Sequence, residues 1–312
     1  MANEQLAARN LSRSMLYTPR QMTSAFEASW TPVVICADDY GMTPEVNASI
    51  LELARHQRIS ATSVMSLSPH WSDGASPLRD LTTLIDVGLH LDWTSAFAIE
   101  KGFGTSLPKL MGLSTLRLLR PEHIERAIQE QLDLFEEKFQ APPDHVDGHQ
   151  HIHQFPVIRD VLMHVLSRRY KTQERPWIRI ARVAAKPVDL KAQVINAMGA
   201  QALQNLAQQL GFAHSQYLTG IYDFRGDAQL YARQLKQWLH ELPSNAVLMC
   251  HPAQGPCGHA PFPEARLWEQ EVLLGPAFLA LLSETHTRLV RGTDLFGQSN
   301  PIVQTPPGNQ AG

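Results

Sequence analysis

With 312 residues, 44% of them hydrophobic and 18% charged, the chain can bury a sizeable core, which excludes a globally disordered protein. A formal charge of −3 and the lack of any dense Lys/Arg run exclude a basic nucleic-acid surface. Cys36, Cys250 and Cys257 are too few and too scattered for a disulfide framework; no apolar stretch could span a membrane and no signal-peptide core is evident, so a reducing, cytoplasmic setting is expected.

Residues 1–30 lack a sustained period and read as a flexible N-terminal arm, with room for a short helix near residues 4–11. Order starts at the apolar run 33–37, the pattern of a strand buried on both faces of a parallel sheet, and ends abruptly at Asp38-Asp39-Tyr40-Gly41. Thr43 as N-cap, Pro44 at the first helical position and Glu45 in the first turn then open a helix that buries Val46, Ile50, Leu53 and Ala54. Strands fit residues 61–67 and 85–91, giving the βαβ grammar of an α/β fold.

Glycines and Pro108 interrupt any period over 96–119, which reads as an insertion or lid. A helix from Pro121 carries Ile124, Ile128, Leu132, Phe135 and Phe139 on one face and stops at Pro142-Pro143. A brief strand at His145-Val146 delivers a histidine cluster, and Pro156 opens another helix. Further on, strands are expected at 177–180, 246–250 and 288–290, and helices at 188–210 (ended by Gly211), 230–239 and 263–282. No internal repeat or linker divides the core, so one domain is expected over 31–296, followed by a disordered tail over 297–312.

Four of the 14 histidines fall between His145 and His153. Alternate residues of a strand share a face, and residues four apart share a face on a helix, so at least two of these imidazoles can aim at one point. The competing reading is a polar loop of solvated histidines. What favours chemistry is recurrence: four strand-like runs end in ionisable groups, namely Asp38-Asp39, His90, the 147–153 cluster and His251. In α/β proteins the ligand site lies at the carboxyl ends of parallel strands. One carboxylate with two imidazoles would hold a divalent metal with open positions, and the second aspartate could remain free as general base. Against this, Asp38-Asp39 could be a helix-capping turn, and His90 and His251 could be hydrogen-bonded core residues. Cys36 and Cys250 read as small buried strand residues, and a second metal cluster at Cys257 and His259 is not favoured. Trp71, Trp93, Tyr40 and Phe155 lie near these motifs; core packing is their simplest role, sugar stacking the alternative.

The segments 34–41, 87–91, 145–153 and 248–252 together resemble the YdjC-type carbohydrate deacetylases, a family that includes the chitooligosaccharide deacetylase ChbG and the hopanoid-associated HpnK proteins. The resemblance runs from about Thr31 to Asp294, with Tyr40 in place of a commoner phenylalanine and Gly148 where serine is frequent. It implies a deformed (β/α) barrel, TIM-like and of the NodB/YdjC type, that hydrolyses an N-acetyl or related amide on a carbohydrate. It further implies Asp39, His90 and His149 as metal ligands, Asp38 as general base and His251 as general acid. Asp147, His151 and His153 then support the ligands or face substrate. Arg266 and Glu271 match a downstream Arg/Glu pattern and are expected to give structural support.

The implied partners are an acetylated amino sugar, oligosaccharide or glycolipid, and a homodimer is allowed. The family's usual metal is magnesium, whereas a His/His/Asp set is better suited to zinc or another late first-row ion. Two rival functions remain: a non-catalytic sugar- or metabolite-binding protein on the same scaffold, and glycoside cleavage, which needs carboxylates on either side of the bond rather than an adjacent pair.

Overall fold

The computed structural model of the protein describes residues 30–184, 193, 195–258 and 260–297. The expected arm before residue 30, the tail beyond 297, the start of the helix expected at 188–210, and His259 lie outside these residues.

Among the described residues, eight strands make one sheet: β1 (Thr31–Tyr40), β2 (Ala61–Val64), β3 (Asp86–Leu91), β4 (His145–Gly148), β5 (Trp177–Ile178), β6 (Tyr217–Thr219), β7 (Ala246–Cys250) and β8 (Thr287–Leu289). The order is β5-β4-β3-β2-β1-β7-β6, with β8 added to β1, and every pairing is parallel. The sheet curls, and bridges Ile178↔His214 and Val183↔Leu218 bring its two edges together, which makes the expected deformed barrel. The apolar runs at the centre of β1 and β7 are fully buried because helices cover the sheet outside and side chains fill it inside.

Eleven helices follow in chain order among the described residues: α1 (Pro44–Arg55), α2 (Pro69–Arg79), α3 (Ala96–Glu100), α4 (Leu107–Thr115), α5 (Pro121–Phe139), α6 (Ile158–Arg169), α7 (Gln201–Gln209), α8 (Ala228–His240), α9 (Pro263–Leu274), α10 (Pro276–Glu284) and α11 (Gly292–Phe296). Thr43 caps α1 by accepting from the Val46 amide, and α5 buries the five apolar residues its spacing predicted. The stretch 96–119 is not structureless: Ser95 caps α3, and α4 follows after a short turn.

Three expectations are corrected. The helix expected over 263–282 is two, because Pro276 has no amide hydrogen and holds Gly275 extended at ψ 151°, which breaks the ladder. The strand expected at 177–180 pairs as a strand over two residues only, and 61–67 over four. Helix α2 escapes notice because Gly74 and Pro77 interrupt it. Gly74 is needed there, since a Cβ would sit 2.8 Å from the Tyr40 ring, whose hydroxyl donates to the Gly74 carbonyl. Trp71, Trp93, Tyr40 and Phe155 are all core residues, and Trp71 stacks on Phe135.

Candidate metal centre at the strand ends

Consecutive side chains on a strand point to opposite faces, yet Asp38 and Asp39 both line one cavity. The backbone explains it. The β1–β2 register shifts between Ala37 and Tyr40, and Asp39 takes a left-handed φ of 70°, which turns its side chain inward. That conformation costs an L-residue about 1–2 kcal/mol, so the surrounding contacts must hold it. They do: the Asp39 Oδ1 atom lies 3.0 Å from His149 Nδ1 and 3.5 Å from His90 Nε2, and Oδ2 accepts from Arg266 Nη2 at 2.6 Å. Burial pushes the Asp39 carboxyl up, but His149 and Arg266 outweigh it and hold the group well below the usual carboxylate range.

Asp38 is gripped by a guanidinium fork, with Arg179 Nη1 and Nη2 donating to its two oxygens at 2.6 and 2.8 Å. On its cavity side, His251 Nε2 is 3.9 Å from Asp38 Oδ2. Burial lowers His251 to about 4 despite Asp39 and Asp38 nearby, so its imidazole is neutral at pH 7. Phe224 meets the His251 ring edge-on, and the backbone amide of His251 donates to Glu269. Glu269 also accepts from the Tyr222 hydroxyl at 2.6 Å, and burial raises it to about 7.

His90 comes from the end of β3 and is in register with Asp147 of β4. Its Nδ1 donates to Asp147 Oδ1 at 2.6 Å, which leaves Nε2 facing Asp39. Asp147 Oδ2 in turn accepts from Ser63 Oγ at 2.6 Å and lies 2.9 Å from Arg179 Nη2. Burial opposes ionisation of Asp147, yet Arg179 and His90 hold it well below the carboxylate range. Burial likewise opposes a charge on His90, but Asp147 and Asp39 raise it to about 10.

The histidine cluster is neither an extended strand nor a regular helix. Residues His149–Gln154 form a tight turn in which Gln150 and His151 both take left-handed φ, 55° and 60°. That corkscrew sends His149 to Asp39 and His151 into the cavity wall, while His153 turns away and donates Nε2 to the Arg179 carbonyl at 2.8 Å. Two of the three alternating histidines therefore reach the cavity, and the third braces Arg179.

The donor set fits a divalent metal. Asp39, His90 and His149 offer one ligand atom each, all within 4.8 Å of one another, at the floor of an open cavity of about 730 Å³. One carboxylate and two imidazoles with open positions suit a catalytic ion, and a carboxylate behind His90 is the usual outer support. Two overlapping groups, Cys36/His145/Asp147 and Asp38/His90/Asp147, are also close, but they are wholly buried, and Ser63 Oγ hydrogen-bonds within the first. Cys36 and Cys250 are small buried strand residues, as expected, with thiols pushed up by burial.

Sequence reasoning missed four residues here. Arg179 carried a signal, a lone charge inside the apolar run 177–180, that went unread. Glu269 had none, being one of several acids on α9, and it is Glu269 rather than the exposed Glu271 that reaches the site. Arg266, expected as structural support, is buried against Asp39. Phe224 and Phe262, which line the cavity, lie in a loop and at a helix start.

The family model of YdjC-like proteins matches residues 32–284, and the chain belongs to that family. It is 28% identical over 181 residues to a chitooligosaccharide deacetylase of Proteus mirabilis, covering 54% of this chain and 66% of that protein. It is 24% identical over 259 residues to the chitooligosaccharide deacetylase of Salmonella typhimurium, covering 81% and 94%. Among solved structures, an Enterococcus faecalis V583 protein, provisionally named for cellobiose-phosphate cleavage, superposes with a TM-score of 0.64 at 19% identity over 86% of this chain and 100% of its own. That likeness supports the fold alone.

Proposed function

We propose that the protein is a metal-dependent hydrolase that removes an acetyl group from an acetylated amino sugar. The observation that carries this reading is one cavity floor holding a His/His/Asp donor set beside a separate carboxylate–imidazole pair, Asp38 and His251. The relatives named as chitooligosaccharide deacetylases support it. A protein that only bound sugar would have no use for base and acid together.

In this reading Asp39, His90 and His149 hold the ion, which when bound supplies an acidified water and a Lewis acid for the amide carbonyl. Arg179 fixes Asp38 through both oxygens, and each oxygen keeps a second lone pair for the proton of the attacking water. Because His251 starts neutral, it cannot donate first. It takes over the proton that Asp38 has collected, once the pair closes from its present 3.9 Å to hydrogen-bond contact, and passes it to the amine as the C–N bond breaks. Asp147 holds His90 through Nδ1, so that an ion would replace the proton on Nε2, and Arg266 occupies Asp39 Oδ2 so that Oδ1 is the oxygen offered to the ion.

Two imidazole donors favour zinc or a neighbouring first-row ion over magnesium. Elemental analysis of protein purified without chelator decides that point. The three cysteines are free and buried, and no helix among the described residues is long and apolar enough to cross a membrane; a cytoplasmic setting is proposed on the first of these. The activity is tested by incubating metal-loaded protein with acetylated amino sugars. Acetate release at constant sugar length is expected, whereas a shortened sugar or no product in any case would overturn the reading.

A further inference from the structure

The cavity has two unlike halves. One is the ion network of the strand ends. Among the described residues, the other is built by Leu107 and Met111 of α4, Ile195 and Met198 ahead of α7, and the pair Phe224 and Phe262. Outside the aspartates, histidines and Arg266, Gln150 is the only polar side chain among the described residues lining it.

The phenylalanine pair is held in place at some cost. Its rings stack with centroids 4.2 Å apart and planes 11° apart, and Phe224 also abuts His251. Both residues take a left-handed backbone, φ 60° and 56°, which bulky L-residues rarely adopt. Phe262 nevertheless stays 51% exposed, so burying its ring is not what fixes that conformation. A strained, half-exposed aromatic at a cavity mouth points to a ligand face.

A second sugar ring seated here would strip water from several hydroxyls and find few partners. Each unreplaced hydrogen bond costs roughly tenfold in affinity, whereas each methylene buried against such a wall gains about fourfold. We infer that the pocket selects an acylated amino sugar carrying an apolar substituent, seated against Phe224, Phe262 and the α4 wall, rather than a chito-oligomer. The inference rests on the deacetylase reading above. The apolar group has two chemical sources, an aglycone on the sugar or a long acyl chain on its nitrogen.

The test compares kcat/KM of the metal-loaded protein on N,N′-diacetylchitobiose, octyl N-acetyl-β-glucosaminide and N-octanoylglucosamine. At least one apolar substrate is expected to exceed diacetylchitobiose by about tenfold or more, the octyl glycoside identifying an aglycone and the octanoyl amide an acyl chain. Phe262→Ala should shrink that ratio, while a general folding defect would lower all substrates in parallel. A preference for diacetylchitobiose, equal rates, or a ratio unchanged in Phe262→Ala overturns the proposal. If no amide is hydrolysed, the deacetylase reading fails, and calorimetry still decides this one: octyl N-acetyl-β-glucosaminide or N-octanoylglucosamine must bind more tightly than diacetylchitobiose, and equal or weaker binding of both rejects it.

Discussion

The floor and the wall of the cavity obey different rules. On the floor, the ends of β1, β3, β4, β5 and β7 bring in charged groups that are nearly all buried and tied to two or more partners: Asp147 alone meets His90, Ser63 and Arg179. Parallel register sets these distances, since His90 and Asp147 sit opposite each other on paired strands. On the wall, α4, the 195–198 segment and the loop phenylalanines touch substrate space through apolar atoms that need no exact partner. In the proposed reading, chemistry is fixed by the sheet, and substrate choice is left to the connections between strands, which can vary without unsettling it.

That division predicts a steep gradient of mutational effects. The largest belongs to Asp38→Asn, which keeps the shape and removes the proton acceptor. Turnover should fall about a thousandfold with metal content unchanged, as measured by steady-state kinetics and elemental analysis on the same preparation. Normal deacetylation by that variant would remove Asp38 from the mechanism and require another base for the attacking water.

Next comes Asp147→Asn, which touches no proposed ligand atom except through His90. An amide cannot reproduce the charge that balances Arg179 and holds Nδ1–H, so metal affinity should drop about ten- to a hundredfold. Metal titration of the apo-protein reads this directly. An affinity equal to wild type would mean that the His90 orientation is set by packing alone.

A smaller effect separates the two aspects of the floor, chemistry and stability. Burial raises Glu269 from 4.5 to about 7 in the folded protein. A carboxyl raised on folding contributes stability that is complete below its unfolded value and is lost as pH rises through its folded one. Between pH 4.5 and 7 the wild type should therefore give up at most about 3 kcal/mol on this account. Glu269→Gln, in which the amide can donate to the Tyr222 hydroxyl, should flatten that limb in denaturant unfolding followed across the range. His153 has the opposite sign: burial holds it near 4, so its contribution is complete above 6.5 and fades as pH falls through 4. Parallel pH curves for wild type and variant would show that Glu269 does not carry the alkaline loss.

Most of the floor could be read in the sequence because it rides on buried strands. The runs ending at Asp38, His90 and His251 announce both the strand and its terminal group, and the order of strands follows from the parallel fold. Arg179 was harder, since a single arginine after Trp177-Ile178 says nothing of the carboxylates 141 and 32 positions away that it joins. The cluster 145–153 showed its residues but not its shape. Two successive left-handed residues, Gln150 and His151, have no local signal, as neither is glycine or asparagine, and only the surrounding contacts hold them there. The wall was legible least of all. Apolar side chains in a segment broken by Gly102, Gly104 and Gly112 carry no period, and the phenylalanines that face each other are 38 residues apart.

The smallest predicted effect is the sharpest test of the contrast. Met111 is half-buried on α4 and lines the cavity with an apolar side chain. Met111→Ala removes dispersion contacts and some apolar area, so unfolding stability should change by about 1 kcal/mol or less, a shift of a few degrees in the thermal midpoint. Metal affinity, read by the same titration as for Asp147→Asn, should not move beyond about twofold, because none of the ion network's hydrogen bonds passes through α4. A tenfold loss of metal affinity in Met111→Ala would mean that the wall holds the floor in shape, and the separation of chemistry from substrate choice would have to be abandoned.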